Sequence, residues 1–238
     1  MQQQGQNHVL SKALTAYSSL DKYHPDLRAQ LDILKEMSEY AEGQHPLSSA
    51  DFTQESEWGR ALSIFTSYGH GVYSLPYLSE TFCRDLMLEL DCMSYSVNEA
   101  EPYEAQIPEV TLLTECRALF DCLHSLWANA GIPIAKVLLG QDPSVLQTIQ
   151  AARYTPDNTP CGHWHNDQDS DVTLVVALTD THTGGGTLVH TGPFSENIVV
   201  PQLPVGHGMF FNGKAHRHYG MPVTSGERNL LVHWSEVK

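Results

Sequence analysis

The sequence is poor in basic residues and contains no long apolar run. Lysine and arginine together number 13 against 28 aspartates and glutamates, so the formal net charge is −15. A strongly acidic protein repels the phosphate backbone of nucleic acids. No apolar stretch approaches the roughly 20 residues of a membrane span, and no basic segment followed by an apolar one marks a signal peptide. We therefore expect neither a nucleic-acid partner nor a membrane partner.

Cysteine is also scarce, and its spacing does not suggest paired function. The five cysteines are odd in number and form no C-x-x-C pair; they are Cys83, Cys92, Cys116, Cys122 and Cys161. Reduced thiols in a cytoplasmic protein explain this pattern most simply. We therefore expect a cytoplasmic location.

The length of 238 residues fits one large domain, or one domain with an extension. Residues 8–42 show helical periodicity of apolar residues, interrupted near Pro25 and ended at Gly43. We assign residues 1–60 to an N-terminal helical extension and residues 61–238 to the main domain. Helices packed outside a β core are the simplest role for the extension, and a homodimer contact is the alternative.

The middle of the chain predicts a strand followed by two helices. Residues 71–75 have the composition of a strand, and a helix begins at Ser79 and runs to about Cys92. A further helix covers residues 114–129, and Gly131 is expected to end it.

An acidic, aperiodic segment at residues 98–108 lies between these helices and predicts a loop. Loops on a rigid scaffold often carry specificity. Tyr103 and Glu104 are therefore candidates for substrate contact, and a solvated connection is the alternative.

Short strands dominate the last third of the chain. The predicted strands are at residues 149–154, 172–178, 187–189, 198–200, 209–211 and 230–234. Glycine, proline and asparagine separate these runs. Short strands at close spacing predict a sandwich or jelly roll.

Two histidines and an aspartate in this region have the composition of an iron site. In a strand, residues i and i+2 point to the same side, so His165 and Asp167 can reach one ion. With His218 they would form the facial triad of non-haem iron oxygenases. His216 is the rival third ligand, but the spacing to Pro222 and the following arginine favours His218.

Arg228 follows His218 by ten residues and supplies a planar fork that pairs bidentately with carboxylates. Iron ligands together with a carboxylate clamp predict an oxygenase that uses a 2-oxo acid. By strand alternation Arg228, Leu230, Val232 and Trp234 share one face, so Trp234 is expected to line the cavity that holds Arg228.

A second H-x-D tripeptide and a further histidine have simpler interpretations. His24-Pro25-Asp26 lies among helical signals and is interpreted as a helix start. His163 relates to His165 by two residues, which makes it a candidate for substrate contact; an ordinary solvent-facing histidine is the alternative.

Residues 148–236 resemble the 2-oxoglutarate and Fe(II)-dependent dioxygenases, in their prolyl-4-hydroxylase-like branch, and residues 71–93 do so loosely. The matching positions are Tyr154, His165, Asp167, Gly185, Gly186, Pro204, Gly206, Phe210, Phe211, His218, Pro222, Val223, Gly226, Arg228 and Trp234. The resemblance implies a double-stranded β-helix (jelly roll) core, mainly β with flanking helices. It also implies iron bound by His165, Asp167 and His218.

The resemblance further implies that Arg228 anchors the distal carboxylate of 2-oxoglutarate and that Tyr154 faces this cosubstrate. Many members carry a polar residue two positions after the arginine, where this chain has Leu230. Thr173 and Thr187 are the candidates to replace that second partner.

These inferences predict a 2-oxoglutarate- and O₂-dependent Fe(II) oxygenase with ascorbate as an activator in vitro. The expected substrate is a small molecule, either an amino acid or a biosynthetic intermediate, oxidised at a C–H bond with release of succinate and CO₂. His163, Trp234 and Tyr103 are the candidates for substrate contact.

Three alternatives remain at this stage. A prolyl-type protein hydroxylase would use the same iron site. A non-catalytic jelly-roll module that binds metal or ligand, or a zinc hydrolase, could also use two histidines and a carboxylate. Both of the latter would leave Arg228 without a role.

Overall fold

The computed structural model describes residues 10–43, 53, 55–103, 106–158 and 163–238. The expectations for Glu104 and Cys161 lie outside these residues, and the four described cysteines are free thiols. The helices are α1 (Leu10–Thr15), α2 (Pro25–Arg28), α3 (Leu31–Gly43), α4 (Glu57–Leu62), α5 (Glu80–Leu90), α6 (Leu112–Glu115), α7 (Arg117–Leu126) and α8 (Ile132–Leu139). A 3₁₀ turn at Leu20–Lys22 and a π turn at Trp127–Gly131 complete the helical elements.

The strands follow the jelly-roll expectation. They are β1 (Thr66–Gly69), β2 (Val72–Pro76), β3 (Glu109–Thr111), β4 (Val145–Tyr154), β5 (Val172–Ala177), β6 (Thr183–Gly184), β7 (Thr187–Val189), β8 (Ile198–Val200), β9 (His207–Phe211), β10 (His218–Gly220), β11 (Val223–Ser225) and β12 (Arg228–Glu236). Every predicted strand of the last third is present, with bounds within a few residues of the sequence-based ones.

Antiparallel pairing arranges these strands in a large and a small sheet. The large sheet has the order β1-β2-β9-β5-β12-β4-β3, and the small one has the order β10-β7-β8, with a separate β11-β6 pair. Apolar residues of β2 and β9 meet those of β7 and β8 between the two sheets. This double-stranded β-helix confirms the predicted fold class.

The main hydrophobic core lies between the large sheet and the helices. Leu174, Phe210 and Leu231 of the sheet are fully buried in one cluster with residues of α3, α5 and α7. Full burial of such a side chain stabilises the fold by roughly 1.5–3 kcal/mol. Leu34 and Met37 of α3 belong to the same cluster, so the helices within residues 1–60 share the core of the sheet rather than forming their own.

The helix predicted to end at Gly131 continues to Leu139, and this corrects the sequence-based boundary. Gly131 has helical φ and ψ angles of −60° and −45°. A Cβ atom there would lie 2.3 Å from Cε3 of Trp127, so this glycine permits close packing of the indole ring. The residue that ends the helix is Gly140, whose left-handed φ of +64° is costly for other residues.

By length and composition alone, the continuous helix Arg117–Leu139 is apolar enough to cross a membrane. Its residues Leu119, Leu123 and Ile134 are fully buried in the core cluster with the large sheet. A core helix of this kind meets the same compositional test as a membrane span.

Candidate metal centre and adjoining cavity

The structure brings His165, Asp167 and His218 together at one end of the space between the sheets. His165 and His218 form an isolated antiparallel bridge in which each main-chain N–H donates to the carbonyl of the other, at 3.0 and 2.8 Å. Nε2 of each histidine lies 3.7 Å from Oδ1 of Asp167. The three candidate ligand atoms all lie within 4.8 Å of one another, a spacing that suits one metal ion.

Main-chain carbonyls orient both imidazoles. Nδ1 of His165 lies 3.2 Å from the carbonyl oxygen of His163, and Nδ1 of His218 lies 3.1 Å from that of His216. Donation of Nδ1–H to these carbonyls assigns the tautomer in which the Nε2 lone pair is free. Both free lone pairs are then available next to the carboxylate.

Asp167 is held by hydrogen bonds on the side away from the histidines. Oγ1 of Thr173 donates to Oδ2 of Asp167 at 2.7 Å, and the main-chain N–H of Asp167 donates to the carbonyl of Gly213 at 3.1 Å. A Cβ on Gly213 would lie 2.8 Å from the carboxylate, so only glycine fits this approach. Oδ1 remains as the oxygen nearest both imidazoles.

The protonation of the site also suits a metal. Burial, followed by the neighbouring His218, lowers the pKa of His165. A lowered pKa keeps the imidazole neutral near pH 7, and metal ligation requires the neutral form. Two imidazole nitrogens and one carboxylate oxygen match the donor set of the Fe(II) facial triad.

The rival histidines face elsewhere. Nδ1 and Nε2 of His216 lie 2.9 and 2.7 Å from the carbonyls of Asn212 and His70, so neither nitrogen points toward Asp167. In the second H-x-D tripeptide, Nδ1 of His24 accepts from the main-chain N–H of Asp26 and caps α2. The predicted helix start is therefore confirmed there.

The metal candidates open into a cavity of about 380 Å³ between the two sheets. Arg228, Leu230, Val232 and Trp234 all line it, as strand alternation predicts for one face of β12. His163 also lines the cavity and stacks on His165, with ring centroids 4.6 Å apart. Tyr103 instead is 74 % exposed and does not belong to the lining.

Arg228 is buried in this cavity without an anionic partner. Its side chain is 5 % exposed, its Nε has no hydrogen-bond partner, and no carboxylate in the described part of the chain lies within ion-pair distance. Burial lowers the pKa of Arg228 from its ordinary value. Because an unpaired buried cation is costly, this guanidinium indicates a site for an anionic ligand.

The surroundings of Arg228 include two of the predicted cosubstrate residues. The Arg228 guanidinium lies 5.7 Å from the ring centroid of Tyr154, which pairs with it across β4 and β12. Burial raises the pKa of Tyr154, so its hydroxyl stays protonated and can donate. Thr187 lines the same cavity.

Thr173 does not lie where the sequence analysis expected it. The register of β5 and β12 pairs it with Trp234, at the end of β12 opposite to Arg228. Its hydroxyl donates to Asp167, so the structure places Thr173 beside a candidate metal ligand. Thr187 is then the remaining one of the two threonines near Arg228.

Several polar residues of the cavity wall were not predicted from the sequence. Glu101, Glu109 and Gln150 line the cavity, and Nε2 of Gln150 donates to Oε1 of Glu109 at 3.2 Å. Burial, followed by the charge of Glu101, raises the pKa of Glu109 to about 7. The alternation of β4 placed Gln150 on the face of Tyr154, but no signal predicted the short strand β3 that carries Glu109.

No protein-family model and no curated protein matches the sequence. Several solved structures share its fold at low sequence identity. A Trichoplax adhaerens prolyl hydroxylase, solved with a hypoxia inducible factor peptide, is 14 % identical with a TM-score of 0.56, covering 87 % of this chain and 92 % of its own.

Two further structures have similar sequence identities and TM-scores. The α-ketoglutarate-dependent carbocyclase SnoK from nogalamycin biosynthesis is 17 % identical, with a TM-score of 0.53 over 81 % of this chain and 87 % of its own. A Burkholderia pseudomallei oxidoreductase of the 2OG-Fe(II) oxygenase family is 16 % identical, with a TM-score of 0.53 over 70 % and 85 %. The chain therefore shares the fold of 2OG-Fe(II) oxygenases, prolyl hydroxylases among them.

Proposed function

We propose that this protein is a 2-oxoglutarate- and O₂-dependent Fe(II) oxygenase that oxidises a C–H bond of a small molecule. The observation that carries the proposal is the presence, in one cavity, of the His165–Asp167–His218 cluster and the unpaired, buried Arg228. A metal-binding module or a zinc hydrolase has no use for a buried guanidinium at this place. An oxygenase that takes a dicarboxylic 2-oxo acid requires both features.

Each residue has a definite task in this proposal. Nε2 of His165, Nε2 of His218 and Oδ1 of Asp167 hold the iron, and Thr173 fixes the carboxylate through its second oxygen. When bound, Fe(II) and 2-oxoglutarate supply the activation of O₂ that oxidises a C–H bond and releases succinate and CO₂.

The remaining residues bind the cosubstrate and shape the cavity. Arg228 pairs with the distal carboxylate of 2-oxoglutarate, and the Tyr154 hydroxyl donates to the same molecule. Leu230, Val232 and Trp234 form an apolar wall beside it, which limits the access of water.

The size of the cavity favours a small-molecule substrate. A volume of about 380 Å³ lies in the lower part of the range typical of small-molecule sites. Pro102 and Ile107, in the segment that precedes β3, line this cavity as well. An amino acid or a biosynthetic intermediate is the class that fits such a volume. The likeness to a prolyl hydroxylase solved with a peptide supports the second candidate, a protein side-chain hydroxylase.

The direct test is succinate formation by the purified protein with Fe(II), 2-oxoglutarate, O₂ and ascorbate. We expect slow succinate release without added substrate, competition by N-oxalylglycine, and inhibition by Zn(II) or Co(II). A screen of small molecules against proline-containing peptides then separates the two substrate classes. Failure of the protein to bind 2-oxoglutarate or to form succinate with any substrate would refute the proposal.

A further inference from the structure

The cavity has an acidic wall in addition to the metal ligands. We define the acidic wall as Glu101, Glu109 and Asp169, which all line the cavity. Glu101 and Asp169 are exposed at its rim, whereas Glu109 is half-buried on β3. His165 and Tyr154 line the same cavity, so this wall faces the proposed site of chemistry as well as bulk solvent.

The acidic wall has no counter-charge in the protein. In the described part of the chain none of its three carboxylates forms an ion pair, and Arg228 is the only lysine or arginine that lines the cavity. The residues at 104–105 and 159–162 are also neither lysine nor arginine. Among the described side chains, no cation is therefore available to pair with the wall.

The cosubstrate and the metal do not supply that counter-charge. The formal charges of Fe(II), Asp167, doubly ionised 2-oxoglutarate and Arg228 cancel one another. The acidic wall therefore stays uncompensated when the rest of the site is filled. A cationic group on the remaining ligand, the substrate, would neutralise it.

Glu109 is the member of the wall that is best placed to bind. The Gln150 amide donates to its Oε1 and leaves Oε2 without a hydrogen bond from any described residue. Burial raises the pKa of Glu109 to about 7, as expected of a carboxyl group that lacks a cationic partner. The buried, unpaired Arg228 in the same cavity is an independent sign that this space is built for ligands.

We propose that the substrate carries an ammonium group that pairs with Glu109 and Glu101. This inference rests on the proposed function, because iron and 2-oxoglutarate fill the other part of the cavity. A carboxylate on the same end of the substrate would meet the acidic wall without a cation to bind it. The substrate class is therefore an amine without a neighbouring carboxylate, which excludes a free α-amino acid bound by its backbone groups.

The test uses the protein loaded with Fe(II) and N-oxalylglycine without oxygen, titrated calorimetrically with 1,4-diaminobutane, 1,4-butanediol and butanoate. We expect the diamine to bind at least ~10-fold more tightly than the diol, since one charge-assisted hydrogen bond corresponds to about that factor. Butanoate should not bind. Equal binding of diamine and diol, or no binding of the diamine, would overturn the inference.

Variants locate the effect within the wall. Glu109→Gln and Glu101→Gln each remove one charge at nearly constant shape, and each should reduce the preference for the diamine about 10-fold or to parity. Glu99→Gln is the matched control, because Glu99 is exposed in the same loop and does not line the cavity. If Glu109→Gln fails to fold, Glu101→Gln on the exposed loop keeps the test decisive. An unchanged preference in the charge-removed variants would also overturn the inference.

A separate titration with 2-oxoglutarate distinguishes failure of the proposed function from failure of the inference about the amine. If 2-oxoglutarate does not bind, the proposed function fails and the inference fails with it. If 2-oxoglutarate binds normally and the diamine shows no preference, only the inference about the amine fails.

Discussion

The two faces of strand β12 differ in the charge that they bury. On the cavity face, Nε of Arg228 and Nε1 of Trp234 are buried without hydrogen-bond partners. On the core face, Oγ of Ser235 donates to the carbonyl of Val172 at 2.6 Å, and Nδ2 of Asn229 donates to Glu227 at 2.9 Å. His233, also on the core face, has both ring nitrogens buried without hydrogen-bond partners, so unpaired polar groups occur on both faces. Within β12 only the cavity face buries a permanent cation without an anion, and this marks it as a ligand site.

His233 is an ionisable residue on the core face that burial keeps neutral. Its ring is fully buried and stacks on Trp127 with centroids 5.9 Å apart, while Tyr77 meets it edge-on at 6.0 Å. Burial lowers its pKa to about 4, so the ring is neutral in the folded protein. Arg228, five residues earlier in the same strand, keeps its charge because a guanidinium does not deprotonate at ordinary pH.

The largest effect is expected at the metal ligands. Single replacement of His165, Asp167 or His218 by alanine should abolish iron binding and turnover, because only three protein atoms hold the ion. Iron content after anaerobic loading measures the binding, and succinate formation measures the turnover. His216→Ala is the control and should keep its iron, since both of its ring nitrogens face main-chain carbonyls. Loss of iron in His216→Ala with full retention in His218→Ala would reverse the assignment.

The core face predicts a pH effect on stability that is independent of ligands. The pKa of His233 is lowered to about 4 from an ordinary 6.5, so the unfolded state binds more protons between these values. The contribution of His233 to the free energy of unfolding is complete above pH 6.5 and is lost as the pH falls toward 4. Its size is about 3 kcal/mol.

Chemical denaturation at pH 7 and pH 5 measures the part of this loss that falls above pH 5, in wild type and in His233→Phe, which keeps a ring against Trp127. The variant should show a smaller decrease in the free energy of unfolding over this interval. The same pH dependence in both proteins would contradict the burial account.

A smaller effect is expected from the hydrogen bond between Thr173 and Asp167. Thr173→Val removes the hydroxyl that donates to Oδ2 and should weaken iron binding about 10-fold, as is typical of a partner behind a metal ligand. Thr181→Val, at an exposed position, is the control. An iron titration, monitored through activity, distinguishes the two variants. Equal iron affinity in both variants would show that this hydrogen bond does not orient the carboxylate.

The cavity face of β12 was predictable from sequence because it depends on local regularities. Strand alternation placed Arg228 and Trp234 on one side, and the spacing of His165, Asp167 and His218 predicted their meeting. The position of Thr173 was not predictable, because it depends on the register between β5 and β12. Gly131 was misassigned because a packing glycine beside Trp127 and a helix-ending glycine look alike in sequence.

The same limit applies to the acidic wall. Glu109 lies on a three-residue edge strand whose pairing with β4 is non-local, and a sequence pattern of that length carries almost no signal. The charge imbalance of the cavity depends on lining residues from separate elements, and no local sequence pattern shows that they meet. Residues on long strands, which the proposal assigns to the cosubstrate, were therefore easier to predict than those that it assigns to the substrate.

The most direct test of the account is 2-oxoglutarate binding by iron-loaded wild type, Arg228→Lys and Arg228→Leu. Loss of the charge-assisted pair should raise the dissociation constant of the leucine variant at least ~30-fold, about 2 kcal/mol, with iron occupancy unchanged. The lysine variant should lie between the two, because it keeps the charge but loses the fork. Shorter 2-oxo acids without a distal carboxylate should bind wild type and the leucine variant with similar affinity. An unchanged affinity for 2-oxoglutarate in Arg228→Leu would contradict the central claim.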